Sequence, residues 1–194
     1  MKTIILLGGA ALLLAGCQGQ TDNQATSDDM GDNLAMSTPN AMEPASPVAA
    51  AEPTVAADYL AQAGAGDMFE IESSRAVLDK TGNNDVRQFA QMMIKDHGKS
   101  TEDLKAAAAT AGITVAAPAL SPDQQRMLDE IKSASADTLD ATYVRNQKAA
   151  HAAALALHQS YAANGDTPAL RDAAGKIATV VQHHIERLDQ MPAG

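Results

Sequence analysis

Four residues able to ligate a metal, Glu70, His97, His151 and His184, each fall on the apolar stripe of a different helical segment. Polar groups at core positions are costly unless they find partners, so one such residue on each of four inward faces needs an explanation. Three neutral imidazoles and a carboxylate suit zinc, copper(II), nickel or iron(II), with carboxylates or backbone oxygens holding the spare ring nitrogens. The same side chains can instead satisfy one another, Glu70 accepting hydrogen bonds from His97 and His151 while Tyr143 or Gln147 completes an internal network. Spacing leaves both readings open.

Neighbouring candidates are weaker. Asp96 precedes His97 and points about 100° away from it on a helix, which makes it a surface group or a support for a ligand. His183 and His184 look like a chelating pair, but adjacent helical side chains diverge, so His184 is expected inward and His183 outward. His158 follows His151 by two turns and belongs to a lower layer of the same stripe, and Met68, Met92 and Met93 read as packing residues. The chain has no Glu-x-x-His, so a carboxylate-bridged di-iron site is not expected. Phosphate-binding loops, Cys-x-x-Cys, Gly-x-Ser-x-Gly and His-Glu-x-x-His are missing as well.

The elements that must position these residues are sharply punctuated. Leu60, Ala63, Asp67, Glu70, Ser74 and Val77 recur at intervals of three and four, and the run stops at Thr81-Gly82-Asn83-Asn84. Val86, Ala90, Met93, His97, Ser100 and Leu104 continue the spacing in a second helix that ends at Gly112, pairing with the first as an antiparallel hairpin. After a connection over residues 116–120, Ser121-Pro122-Asp123-Gln124 predicts a capping box and a short helix to about Lys132. A long helix from near Asp137 presents Leu139, Tyr143, Gln147, Ala150, His151, Ala154 and His158 and stops at Asn164-Gly165. Thr167-Pro168 opens the last one, with Leu170, Ile177, Val181, His184, Leu188 and Met191 on one face.

This pattern predicts an all-α domain over residues 55–194, a four-helix bundle with a short extra helix between helices two and three. Counting from the hairpin turns at 1.5 Å per residue puts Glu70 and His97 at ~18 and ~22 Å, and His151 and His184 at ~21 and ~27 Å.

The first residues carry a different signal. Met1-Lys2-Thr3 precedes an uncharged run from Ile4 to Leu14 that is too short for an ordinary membrane span. Leu14-Ala15-Gly16-Cys17 then resembles the lipobox of lipoprotein signal peptidase, making residues 1–16 a signal peptide and Cys17, the chain's one cysteine, the lipidated first residue. Gln18 rather than Asp at the next position resembles export to the outer membrane, with the domain on its periplasmic face. Residues 17–54, with prolines at 39, 44, 47 and 53 and no aromatic side chain, read as a disordered tether. Loss of Lys2 leaves 13 Lys+Arg against 24 Asp+Glu, a net charge of −11 that disfavours nucleic acid as a partner and leaves the membrane to the lipid.

Phe69-Glu70-Ile71-Glu72, the run Val86 to His97 with its Phe-Ala-x-x-Met-x-x-Asp-His element, Tyr143 with His151, and Val181-Gln182-His183-His184-Ile185 together resemble the family called domain of unknown function 4142. The resemblance covers roughly residues 57–191 and implies an exported, ferritin-like bundle whose recurrent polar residues correspond to Glu70, Asp96, His97, His151 and His184. Members often carry Leu-Pro shortly before the last histidine, where this chain has Ala178-Thr179. The leading expectation is a non-enzymatic, metal-binding envelope lipoprotein. An interaction or stress-protection module with a structural His/Glu network is the alternative, and a metal-dependent oxidoreductase a third reading.

Overall fold

A computed structural model of the chain describes residues 53–191. The expected signal peptide, the expected lipidation site Cys17 and the expected tether up to residue 52 lie outside the described residues. Among the described residues there are five helices and no strand: α1 (Ala56–Leu78), α2 (Asn84–Thr110), α3 (Pro122–Ser133), α4 (Ala136–Asn164) and α5 (Pro168–Asp189). None is long and apolar enough to cross a membrane.

The helix ends follow the local chemistry. The Asn83 side chain accepts from the amides of Asp85 and Val86, satisfying donors that the first turn of α2 leaves free. Gly112, at φ 69°, takes the left-handed conformation after α2 that costs other residues more. Ser121 and Gln124 form the reciprocal capping box with Pro122 just inside α3. The start of α1 is held from a distance: Asp166, in the turn between α4 and α5, accepts from the Ala56 amide at 3.1 Å, and its own amide donates to the Thr54 carbonyl at 3.0 Å. A carboxylate there also complements the positive end of the helix. Tyr161 donates to the same carboxylate at 2.9 Å, so one acidic residue ties together α1, the end of α4 and the turn into α5.

The four long helices adjoin in the ring order α1, α2, α5, α4, while α3 lies against α1 and α4. Every residue of the predicted stripes on α1, α2 and α5 is buried. On α4, Ala150 and Ala154 are half-buried and the rest of the stripe is buried. α5 runs without interruption through Ala178-Thr179.

Two apolar clusters fill the interior. One gathers Tyr59, Leu60, Leu104, Tyr161, Leu170 and Val181. The other gathers Phe69, Phe89, Met93, Leu128, Tyr143 and Leu188. Each fully buried large side chain contributes about 1.5–3 kcal/mol by leaving water. On every long helix the polar residues Asp67–Glu70, His97–Ser100, Gln147–His158 or His184 fall between or beside the segments that build the two clusters. The helical spacing therefore sets a polar layer inside an otherwise apolar bundle.

Candidate metal centre

Three imidazoles meet in this layer. One ring nitrogen of each of His97, His151 and His184 lies within 4.8 Å of the other two, and all three side chains are buried. Their ring centroids form a nearly equilateral triangle, 5.6 Å from His97 to His151, 5.5 Å from His97 to His184 and 5.3 Å from His151 to His184. α2, α4 and α5 supply one ring each. The Phe89 ring packs against His151 and His184 at centroid distances of 6.1 and 6.4 Å, closing one side with hydrocarbon.

The outer nitrogen of every ring is committed to an acceptor. His97 Nδ1 donates to Asp67 Oδ1 at 2.8 Å, and Thr101 donates to the other oxygen of that carboxylate at 2.9 Å. His151 Nδ1 donates to the Gln147 backbone carbonyl at 2.9 Å, with Glu70 Oε1 3.4 Å away. His184 Nε2 donates to Asp96 Oδ2 at 3.1 Å. An imidazole that donates from one nitrogen in its neutral form presents a lone pair on the other. His97 Nε2, His151 Nε2 and His184 Nδ1 are therefore the nitrogens left as electron-pair donors.

Two observations show that this set fits a metal ion. His151 Nε2 and His184 Nδ1 stand 3.3 Å apart, close to the edge of a tetrahedron whose ligands lie roughly 2.0–2.1 Å from the metal. His97 Nε2 and Glu70 Oε2 are buried with no hydrogen-bond partner, and such groups are costly without a ligand to satisfy them. Second-ring hydrogen bonds to carboxylate or carbonyl are the usual support of metal-bound histidines. The buried three-histidine group can hold a metal ion.

Electrostatics distinguishes the rings. Burial depresses His151 to about 3, helped by the nearby His97 and His184. Burial likewise lowers His184 to about 4 against the opposing pull of Asp96. His97 is also pulled down by burial, but its bond to Asp67 and the charges of Glu70, Asp67 and Asp96 more than reverse this, and its pKa is raised. Burial lifts Glu70 to about 7, with His97 acting in the opposite sense.

The sequence candidates separate accordingly. Glu70 stands behind His151, on its outer nitrogen, beside the three-histidine group. Asp96 supports His184, as its divergence from His97 allowed. His183 is exposed and pairs with Glu186 at 3.4 Å, so His184 is the inward residue. Tyr143 bonds Ser74 at 2.7 Å, and Gln147 donates from its side chain to Ser73 at 3.1 Å while its side chain also acts on Glu70, opposing the upward push of burial. His158 stands apart, its Nδ1 2.9 Å from the Tyr59 hydroxyl, and burial lowers it to about 4. Asp67 is the partner that spacing did not single out, although it shares the stripe of Glu70 one turn away.

The class is thus an all-helical protein with a buried polar centre shared by two helical hairpins. The chain belongs to the family described as domain of unknown function (DUF4142), whose model matches residues 41–191. No curated protein matches it. Its fold is similar to the crystal structure of a DUF305 fragment from Deinococcus radiodurans, with a TM-score of 0.60 over 69% of this chain and 92% of that one. At 13% identity this likeness concerns the fold alone.

Proposed function

We propose that this protein is a transition-metal-binding lipoprotein of the cell envelope, built as a ferritin-like four-helix bundle with α3 as an extra helix between its hairpins. The ring order of the long helices supports the bundle reading. The observation that carries the function is the convergence of three nitrogens, one from each ring, whose partner nitrogens are all tied to oxygen acceptors. Neutral imidazoles of this kind suit zinc, copper, iron or nickel. The role is binding, and no residue is assigned to catalysis.

Lipidation at Cys17 rests on Leu14-Ala15-Gly16-Cys17, and placement at the periplasmic face of the outer membrane on Gln18. The lipid would be the contact with the membrane, leaving the acidic domain free in the aqueous phase. The competing reading, an interaction or stress-protection module with a structural network, draws on the 3.3 Å contact itself, since one ring in its other tautomer would turn that contact into a hydrogen bond. It leaves the buried His97 Nε2 unpartnered, a nitrogen that a metal would satisfy, which is why metal is preferred.

Metal content by mass spectrometry on the purified protein, beside a variant carrying His97→Ala and His184→Ala, tests the proposal. Stoichiometric metal in the parent and its loss in the variant are expected. A parent that takes up no transition metal even after reconstitution would show that the rings form a structural network.

A further inference from the structure

Three protein nitrogens leave a tetrahedral ion with one position unfilled, and the surroundings of the centre indicate what fills it. A cleft of about 560 Å³ runs between α1 and α4 under the start of α3 and reaches His97 and Glu70 at its inner end. Its walls include Ala65 and Gly66 on α1 and Ala150 and Ala153 on α4. A Cβ added at Gly66 would meet nothing within 4 Å, so this wall encloses space. Alanines make part of the wall hydrocarbon, polar side chains that include Gln62, Asp67 and Arg126 line the rest, and two buried atoms without partners, Glu70 Oε2 and His97 Nε2, belong to residues at its inner end. A cleft of this size with polar groups at its inner end admits a small polar ligand from solvent.

Resting on the metal reading above, we infer that the remaining coordination position opens into the α1–α4 cleft and holds an exchangeable oxygen ligand that carries a proton. Water and hydroxide are of this class, as is hydroperoxide. The bound oxygen donates its hydrogen bond to Glu70 Oε2, which supplies the partner that the carboxylate otherwise lacks. His97 Nε2 is satisfied by the metal itself. A second cleft, of about 160 Å³ between α2 and α5, touches His97 and His184 from the other side with Val180 at its edge. It does not include Glu70 among its lining residues, and the carboxylate beside His184, Asp96, already accepts from His184 Nε2.

Azide titration of the cobalt(II)-loaded protein, followed in the visible d–d bands, tests this. Azide displaces the oxygen ligand but brings no proton for Glu70, so its charge opposes the carboxylate. A band shift is expected, with azide bound about tenfold more tightly after Glu70→Gln. Gly66→Leu and, independently, Ala153→Leu should slow azide binding by about tenfold without loss of cobalt, whereas Val180→Phe should leave the rate unchanged. Cobalt bound with no response to azide would mean a closed coordination shell and would overturn this inference alone. Slowing by Val180→Phe but by neither plug in the α1–α4 cleft would overturn the route. A protein that takes up no cobalt would remove the metal reading and this inference with it.

Discussion

His151 Nε2 and His184 Nδ1 face each other at 3.3 Å in the interior, while the other nitrogen of each ring donates to Gln147 or Asp96. Two lone pairs so placed repel unless a cation or a proton stands between them. A metal bound by the folded state alone adds about 2.7 kcal/mol of stability at a free concentration near 100 times Kd. For a domain of this size that corresponds to roughly 5–10 °C in Tm. Differential scanning calorimetry should show chelation lowering Tm of the parent by such an amount and leaving the His151→Ala, His184→Ala double variant unmoved. Equal Tm with and without chelator in the metal-loaded parent would contradict a site in this layer.

Acid should destabilise the metal-free protein. His151 is held to about 3 and His158 and His184 to about 4, so below the ordinary imidazole value near 6.5 the unfolded chain takes up three protons before the folded one. Glu70, raised to about 7, opposes this, because the folded state takes its proton first and gains stability as pH falls from about 7 to about 4.5. His97 is raised, so its contribution is complete below about 6.5 and is lost as pH climbs through its folded value. Three losses against one gain make stability fall between about pH 6.5 and 4.5, with the decline continuing to about 4 for His158 and His184 and to about 3 for His151. Urea midpoints should be highest near neutrality, and Glu70→Gln, which removes the opposing gain, should steepen the acid slope. A flat profile between pH 6.5 and 4.5 would show that these histidines are not held neutral.

Asp67 and Asp96 each orient one ring, yet their settings differ. The Asp67 side chain is 4% exposed and also receives Thr101, whereas that of Asp96 is 27% exposed. Loss of such a supporting carboxylate weakens metal binding by about 10–100-fold. Competition against a chromophoric chelator should therefore place Asp67→Asn well below Asp96→Asn, itself somewhat below the parent. The reverse order would mean that His97 does not hold the metal through this orientation.

Tyr59→Phe separates stability from metal binding. The Tyr59 hydroxyl is 2.9 Å from His158 Nδ1, and its ring stacks on Tyr161 with centroids 3.8 Å apart. Phenylalanine keeps the stack and strands a buried ring nitrogen, at a cost of about 1–3 kcal/mol. Denaturant unfolding should register that loss while metal content stays at the parental level. A fall in metal content would join His158 to the centre.

Two glycines should respond in opposite directions to alanine. A Cβ at Gly165 would come within 2.5 Å of the Tyr161 ring, which is pinned between Tyr59 and Asp166 and cannot swing away. Gly165→Ala should cost about 1–3 kcal/mol. At Gly66, inside α1 with open space beside it, alanine should stabilise by about 0.5–1 kcal/mol. Thermal melts of the two variants check both signs.

The stripes were legible because burial on a helix imposes a spacing that the chain displays directly. Asn83, Gly112, Ser121 and Pro168 were legible as boundaries for an equally local reason: each satisfies, or does without, a backbone group at a helix end. The choice between Asp67 and Glu70 as partner of His97 was not, since two carboxylates one turn apart share a face and only the reach across to α2 decides. The relative level of His151 and His184 was less legible because residues 165–167 belong to no helix. Counted from Asn164 and Pro168 the two lie at ~20 and ~24 Å, and opposite ring nitrogens close the remainder. The α1–α4 cleft escaped notice because alanines announce close packing as readily as space.

The distribution of the centre over the chain bears on how it assembles. His97 with Asp67 and Asp96 comes from the first hairpin, and His151 with His184 from the second, His97 and His151 standing 54 positions apart in the chain. Neither hairpin alone contains the triad, so an ion held by all three rings would be captured only after the two have docked. From then on it would clasp together segments remote in sequence, in a chain whose single cysteine can form no internal disulfide. Such an ion could leave either along the α1–α4 cleft or by parting of the hairpins, and with the cleft plugged the rate of metal exchange becomes a clock for the second.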